Sequence, residues 1–252
     1  MKEYVNRYIH SASWILLIFG GYLFTRLIAL CGFPSTFCIF IAYSFLDDAQ
    51  HHTWLGHSRN LTDLMLLGFV QAWFAEIVDT PGRWSCIHTS RWFYGLFFGS
   101  ILAFSVITSI PGFDEAISDD GNESWLFLFI LSLLLMGLVW VCVWHVMHAK
   151  KTLRTYKDFL GFVVFRAGTL AALITAYILV HNESTIDGIA KFHLHHYFVA
   201  WCISLIAAFN HKISLACLAI TSGIFVQGIG AYSAAAMFYR GADKPCPEVY
   251  YS

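Results

Sequence analysis

Long apolar stretches alternate with short polar ones along the whole chain, at 13–32, 35–46, 61–78, 92–110, 125–145, 159–180, 197–209 and 213–238. Most are too long, and too apolar all round, to be one face of a soluble helix. A hydrocarbon core of about 30 Å needs roughly 20 helical residues. The pattern therefore predicts an all-α polytopic transmembrane bundle of seven or eight spans. With the polar residues that short runs must borrow, the expected spans are 13–32, 35–50, 61–78, 92–110, 125–147, 159–180, 194–210 and 213–238. The connectors carry breakers, among them Pro34, Pro81 with Gly82, Pro111 with Gly112, and Gly121. No linker divides the chain, so residues 1–252 form a single transmembrane domain.

Composition agrees. Hydrophobic residues make up 58% of the 252 residues and charged ones only 12%, about half the usage of soluble domains. A net charge of -1 gives no basis for a nucleic-acid partner. The expected partners are membrane lipids and other membrane-protein subunits. The seven cysteines lack CxxC spacing and lie mostly in apolar runs, as buried small side chains do. No small-residue cleavage site follows the first apolar segment, so no removed signal peptide is expected.

If all eight segments cross, Arg83, Arg91, Lys150, Lys151, Arg154, Lys157 and Lys212 share one side, the cytoplasmic one by the positive-inside rule. The opposite side collects Asp114, Glu115, Asp119, Asp120, Glu123, Glu183 and Asp187, with N-glycosylation sequons at Asn60, Asn122 and Asn182. That distribution favours a glycoprotein of the plasma membrane or an endomembrane, and the mitochondrial inner membrane stays compatible. Lys2 and Arg7 would then lie outside, against the rule. A re-entrant second segment would move the N-terminus inside and remove the conflict.

The second and seventh apolar runs are the shortest, and each ends in acid or histidine. "FLDDAQHHTWLGH" (45–57) follows one; "KFHLHHYFVAW" (191–201) opens the other. To cross, they must draw those groups to membrane depth, where ionisable side chains turn inward and find partners. Asp48 pairs at i,i+3 with His51 and at i,i+4 with His52; His193 and His196 are i,i+3, with Tyr197 next on that face. Imidazoles with a carboxylate suit zinc, copper or iron. The expected metal ligands are Asp48, His52, His193 and His196, with Asp47, His51 and His195 as alternates or as partners that fix tautomers. The same residues also fit an interfacial belt beside Tyr43, Trp54, Tyr197 and Trp201. A proton network or pH sensor is a further alternative.

Arg26 in the first span and Glu76 near the inner end of the third are expected to pair as a structural staple, or to line an ion pathway. HxxH at His145 and His148, with DxxHH at 48–52, resembles the histidine boxes of membrane desaturases and hydroxylases. Those boxes must share a face, and here they fall at opposite ends. Haem ligation by His196 and His211 ranks below a bare metal ion, because both sit at helix ends. In the last segment Gly230, Ala234 and Phe238 repeat at four, as do Ala231 and Ala235, a pattern that lets helices approach closely. Gln227 there needs a partner across the bundle.

"HLHHY" (193–197), "SL" (214–215) and "GIFVQGIGAY" (223–232) resemble the terminal membrane region of fungal LCCL-domain multi-pass proteins. The likeness covers about the last fifth of the chain; the LCCL domain itself is absent. It implies that His193, His195, His196, Tyr197 and Gly228 belong to one structural unit, and it assigns no reaction. The functional expectation is a membrane protein with an outward-facing Asp/His metal site for redox or hydrolytic chemistry on a lipidic substrate. The alternatives are a non-catalytic accessory subunit and a proton-coupled transporter or channel. Whether the chain is an enzyme stays open at this point.

Overall fold

The computed structural model describes residues 2–30, 53–77, 82–107, 125–182 and 196–232. Among the described residues the secondary structure is entirely helical. We label the helices α1 (Lys2–Leu30), α2 (Thr53–Phe74), α3 (Arg83–Thr89), α4 (Arg91–Ile107), α5 (Trp125–Thr152), α6 (Tyr156–Asn182), α7 (His196–Ser204) and α8 (Lys212–Tyr232). Three stretches are long and apolar enough to cross a membrane: Asn6–Ile28, Tyr156–Thr175 and Lys212–Gly230. The α3–α4 pair makes a fourth if its 74° bend belongs to one broken span. The protein is thus a helical membrane protein.

The expected and observed boundaries differ informatively. The span expected at 92–110 is preceded by α3, and the chain breaks at Ser90, whose backbone is extended. The span expected at 194–210 yields a helix of only 9 residues, closed by successive i→i−3 bonds at Leu205, Ile206 and Ala207. The expected second span, 35–50, lies outside the described residues.

Helix α8 is the axis. Some 78% of its membrane-length window is buried. Between helices in lipid, close packing has to replace the hydrophobic effect as the associating force. The small residues of α8 supply it. A Cβ on Gly223 would lie 2.5 Å from the Phe97 carbonyl of α4, and one on Gly228 would overlap Cβ of Tyr197 in α7. Gly230 meets Thr25 of α1 at 2.8 Å on the same measure. Gly223, Gly228 and Gly230 are thus engaged inside the bundle, while Ala234, Ala235 and Phe238 of the expected small-residue pattern lie outside the described residues. Trp14, Phe93, Phe97, Trp201 and Phe225 fill the space between these helices.

The contacts also fix direction. His10 faces Trp84, Trp14 faces Phe93, and Gly21 meets Phe97 and Ile101, so α1 runs parallel to α3 and α4. Gly223 lies level with Phe97, and Gly230 with Thr25, so α8 is parallel to both. Tyr197 against Gly228, with Trp201 beside Phe225, makes α7 antiparallel to α8. Trp201 Nε1 donates to the Leu67 carbonyl (3.2 Å) and Gln71 donates to Ser204 Oγ (2.7 Å), so α2 runs parallel to α7. The start of α1, with Arg7, therefore lies at the end of the bundle that holds Arg83 and Lys212. This corrects the expectation that eight full crossings leave Arg7 on the opposite side. It also means that α1 ends and α2 begins at one and the same end.

Helices α5 and α6 stand apart from this core. Only 6% of the membrane-length window of α6 is buried. Both touch the rest mainly near the basic end.

Candidate functional site

Asp47, Asp48, His51, His52, His193 and His195 lie outside the described residues. His196 is the first residue of α7. The helices that follow the two clusters do bear on the expectation. Helices α2 and α7 are parallel neighbours, so both begin toward the end away from the basic residues. They begin at different depths. Thr53 precedes Leu67 by about 21 Å of helix and His196 precedes Trp201 by about 8 Å, although Leu67 and Trp201 are bonded and level. Below this point Gln71 donates to both Ser204 and Ser222 (2.7 and 2.9 Å), pinning α2, α7 and α8 at one buried node.

At the basic end, α2 closes as a Schellman motif. The Ile77 amide donates to the Ala72 carbonyl (2.9 Å) and the Glu76 amide to that of Trp73 (3.0 Å). The left-handed position is Glu76, at φ 59°, where glycine is usual. Two buried arginines then take up the carbonyls that the motif leaves. Arg83 donates to the carbonyls of Ala75 (3.2 Å), Ala207 (2.5 Å) and Phe209. Arg166 donates to Phe74 (2.8 Å) and Leu205 (3.3 Å), stacks over the Phe162 ring at 4.0 Å, and pairs with Glu76 at 3.3 Å. The C-termini of α2 and α7, each with a partial negative charge, are thereby bridged by cations from α3 and α6.

Glu76, expected opposite Arg26, thus meets Arg166. Arg26 instead reaches along its own helix to the Tyr22 hydroxyl (3.3 Å) and lies over that ring. Sequence reading missed Arg166. The signal was there: it is the lone cation within the apolar run 159–180, and intramembrane charges of that kind have partners.

Three histidines gather beside this clamp. His145 is fully buried; its Nδ1 donates to the Val141 carbonyl (2.8 Å), which leaves Nε2 to accept from Ser214 Oγ (3.1 Å). Ser214 Oγ in turn accepts from the Phe209 amide (3.1 Å). The chain of donors holds His145 as the neutral Nδ1–H tautomer. His148 stacks on Trp144 and lies 5.1 Å, ring to ring, from His211, whose Nδ1 accepts the Ile213 amide and caps α8 (3.2 Å). Beyond the apolar stretch 125–147, burial holds His148 below the usual imidazole pKa, and the charges of His211 and Lys151 act the same way. The HxxH pair and His211 therefore meet, as their shared side implied, but as a capping and stacking group. Among the described residues no set of three His, Cys, Asp or Glu is placed to hold a metal ion.

The expected structural unit around Tyr197 and Gly228 has a described part, in which Tyr197 packs directly on Gly228. Both amide atoms of Gln227 are buried without a hydrogen-bond partner among the described residues. Asn60 lies within α2 and Asn182 ends α6, while Asn122 is outside the described residues. Comparison with protein-family models, curated proteins and solved structures finds no match to this chain.

Proposed function

We propose that the chain crosses the membrane seven times, with the basic end cytoplasmic, and binds a transition metal at the opposite end. The crossings are α1, α2, the bent α3–α4 pair, α5, α6, the short α7 with its turn, and α8. In this reading Lys2 and Arg7 join the other cations inside, as the positive-inside rule asks. The acidic loops and the sequons face out, at the plasma membrane or an endomembrane. Asp48, His52, His193 and His196 hold the metal, with Asp47, His51 and His195 orienting them. The metal is zinc, copper or iron, and it supplies either a Lewis acid that activates water or a redox centre for chemistry on a lipidic substrate. The observation that supports this reading is the parallel contact of α2 and α7, since the helices that follow the two clusters in sequence both begin toward that end.

Elemental analysis of purified protein tests it. The expected result is one metal ion per chain, lost in Asp48→Asn and equally in His196→Ala. Metal-free protein, or metal kept by both variants, would overturn the reading.

A second reading, a non-catalytic subunit of a larger membrane assembly, is favoured by the bare surface of α6. It predicts a partner that copurifies in fixed ratio and metal-free protein.

A further inference from the structure

The turn between α5 and α6 carries charge without countercharge. Lys150, Lys151, Arg154 and Lys157 fall within eight residues and all are exposed. None of them is in an ion pair among the described residues. The acid nearest in sequence, Asp158, is occupied locally. Its carboxylate accepts the Thr155 amide (3.3 Å) while its own amide donates to Thr155 Oγ1 (3.1 Å), the reciprocal cap of α6. The patch continues across the bundle end. His148 lies between Lys151 and His211, and the exposed Lys212 follows His211 at the start of α8. Trp144, stacked on His148, and the 74% exposed Tyr156 flank it with rings of the kind that settle at headgroup level.

We propose that Lys150, Lys151, Arg154, Lys157 and Lys212 form a binding surface for the anionic headgroups of phospholipids in the adjoining leaflet. Unpaired ammonium and guanidinium groups at the foot of a membrane helix attract phosphate, and four or more of them together select anionic over zwitterionic lipid. The α5 C-terminus leaves its last carbonyls near Lys150 and Lys151, which keeps these cations in place. The inference rests on the membrane-spanning reading and is independent of the metal site.

The test reconstitutes the full chain into nanodiscs of phosphatidylcholine with a minor share of phosphatidylserine, then measures the lipid retained after re-extraction. Wild-type protein is expected to retain phosphatidylserine above its share. Each neutralised charge lowers that enrichment about five-fold, so Lys150→Gln with Lys151→Gln loses most of it. Lys150→Arg with Lys151→Arg keeps it, and the bound metal content of both stays at the wild-type level. Equal retention by the Gln variant, or loss in the Arg variant, would overturn the surface alone. Failure of wild-type protein to enter discs of any composition would overturn the membrane-spanning reading as well.

Discussion

Helices α6 and α8 look alike as sequence: each is an apolar stretch of membrane length with glycines in it. In the bundle they are opposites. The α8 window is 78% buried, and the α6 window 6%. The glycines tell the difference. Gly223, Gly228 and Gly230 press against α4, α7 and α1, whereas a Cβ on Gly161 or Gly168 of α6 would meet nothing within 4 Å. Hydropathy measures transfer into lipid, and both helices pass. What separates centre from flank is whether a neighbouring backbone approaches the small residues. The polar atoms follow the same division. Gln71 and Arg83 tie the centre together through named partners, whereas the α5–α6 turn of the flank carries open cations.

The sharpest way to break this contrast is to remove a tie at the centre. Arg83→Ala takes the donor from the buried carbonyls of Ala75 and Ala207 and one of two donors from that of Phe209, which keeps the His211 amide, at a cost of about 3 kcal/mol. Arg154→Ala on the flank changes stability by less than about 0.5 kcal/mol. Thermal unfolding midpoints in detergent report both, and similar losses in the two variants would erase the distinction.

The glycines give the next largest effect. Gly228→Ala forces a methyl group onto Tyr197 and should cost about 2 kcal/mol. Gly168→Ala, in open space within a helix, should gain about 0.5–1 kcal/mol. A gain in the first, or a loss in the second, would show that the packing of α8 and α6 is not as described.

Gln227 sharpens the comparison from the other side. Its amide is buried without partners among the described residues, so Gln227→Leu should be neutral or stabilising by about 1 kcal/mol. A clear loss in the same unfolding assay would mean that the amide is satisfied in the folded protein.

Smallest is the pH effect at the seam between centre and flank. His148 faces His211, which caps α8, and shares its own helix with His145 and Lys151. Its folded-state pKa is held down, chiefly by burial. The unfolded chain then binds the proton more readily, so this contribution is present above about pH 6.5 and is lost as the pH falls below it through the lower folded-state value. Unfolding midpoints should drop on acidification and do so less in His148→Gln. A midpoint that rises as the pH falls would reverse the sign.

Sequence legibility divides along the same line. The all-helical membrane class and the approximate positions of α1, α4, α5, α6 and α8 were legible, because each is a long apolar run. The shortness of α7 was legible too, since Tyr197–Phe209 cannot cross unaided. The break at Ser90 was not, because an extended serine between apolar helices leaves no gap in hydropathy. The partner of Glu76 was also hidden. Arg26 and Arg166 are both lone cations in apolar runs, and only the packing of α6 against the ends of α2 and α7 selects Arg166. The direction of α1 was readable as a conflict at Lys2 and Arg7, and the contacts to Trp84 and Phe93 resolve it. Of the candidate metal site, the sequence offers the ligand types, while the described structure contributes the parallel pairing of α2 and α7.

X-ray absorption at the metal of the purified wild-type protein tests that pairing most directly, by counting imidazole ligands in the shell. The account predicts three, from His52 before α2 and from His193 and His196 at the start of α7. A shell of two imidazoles or fewer, or no bound metal at all, would contradict it.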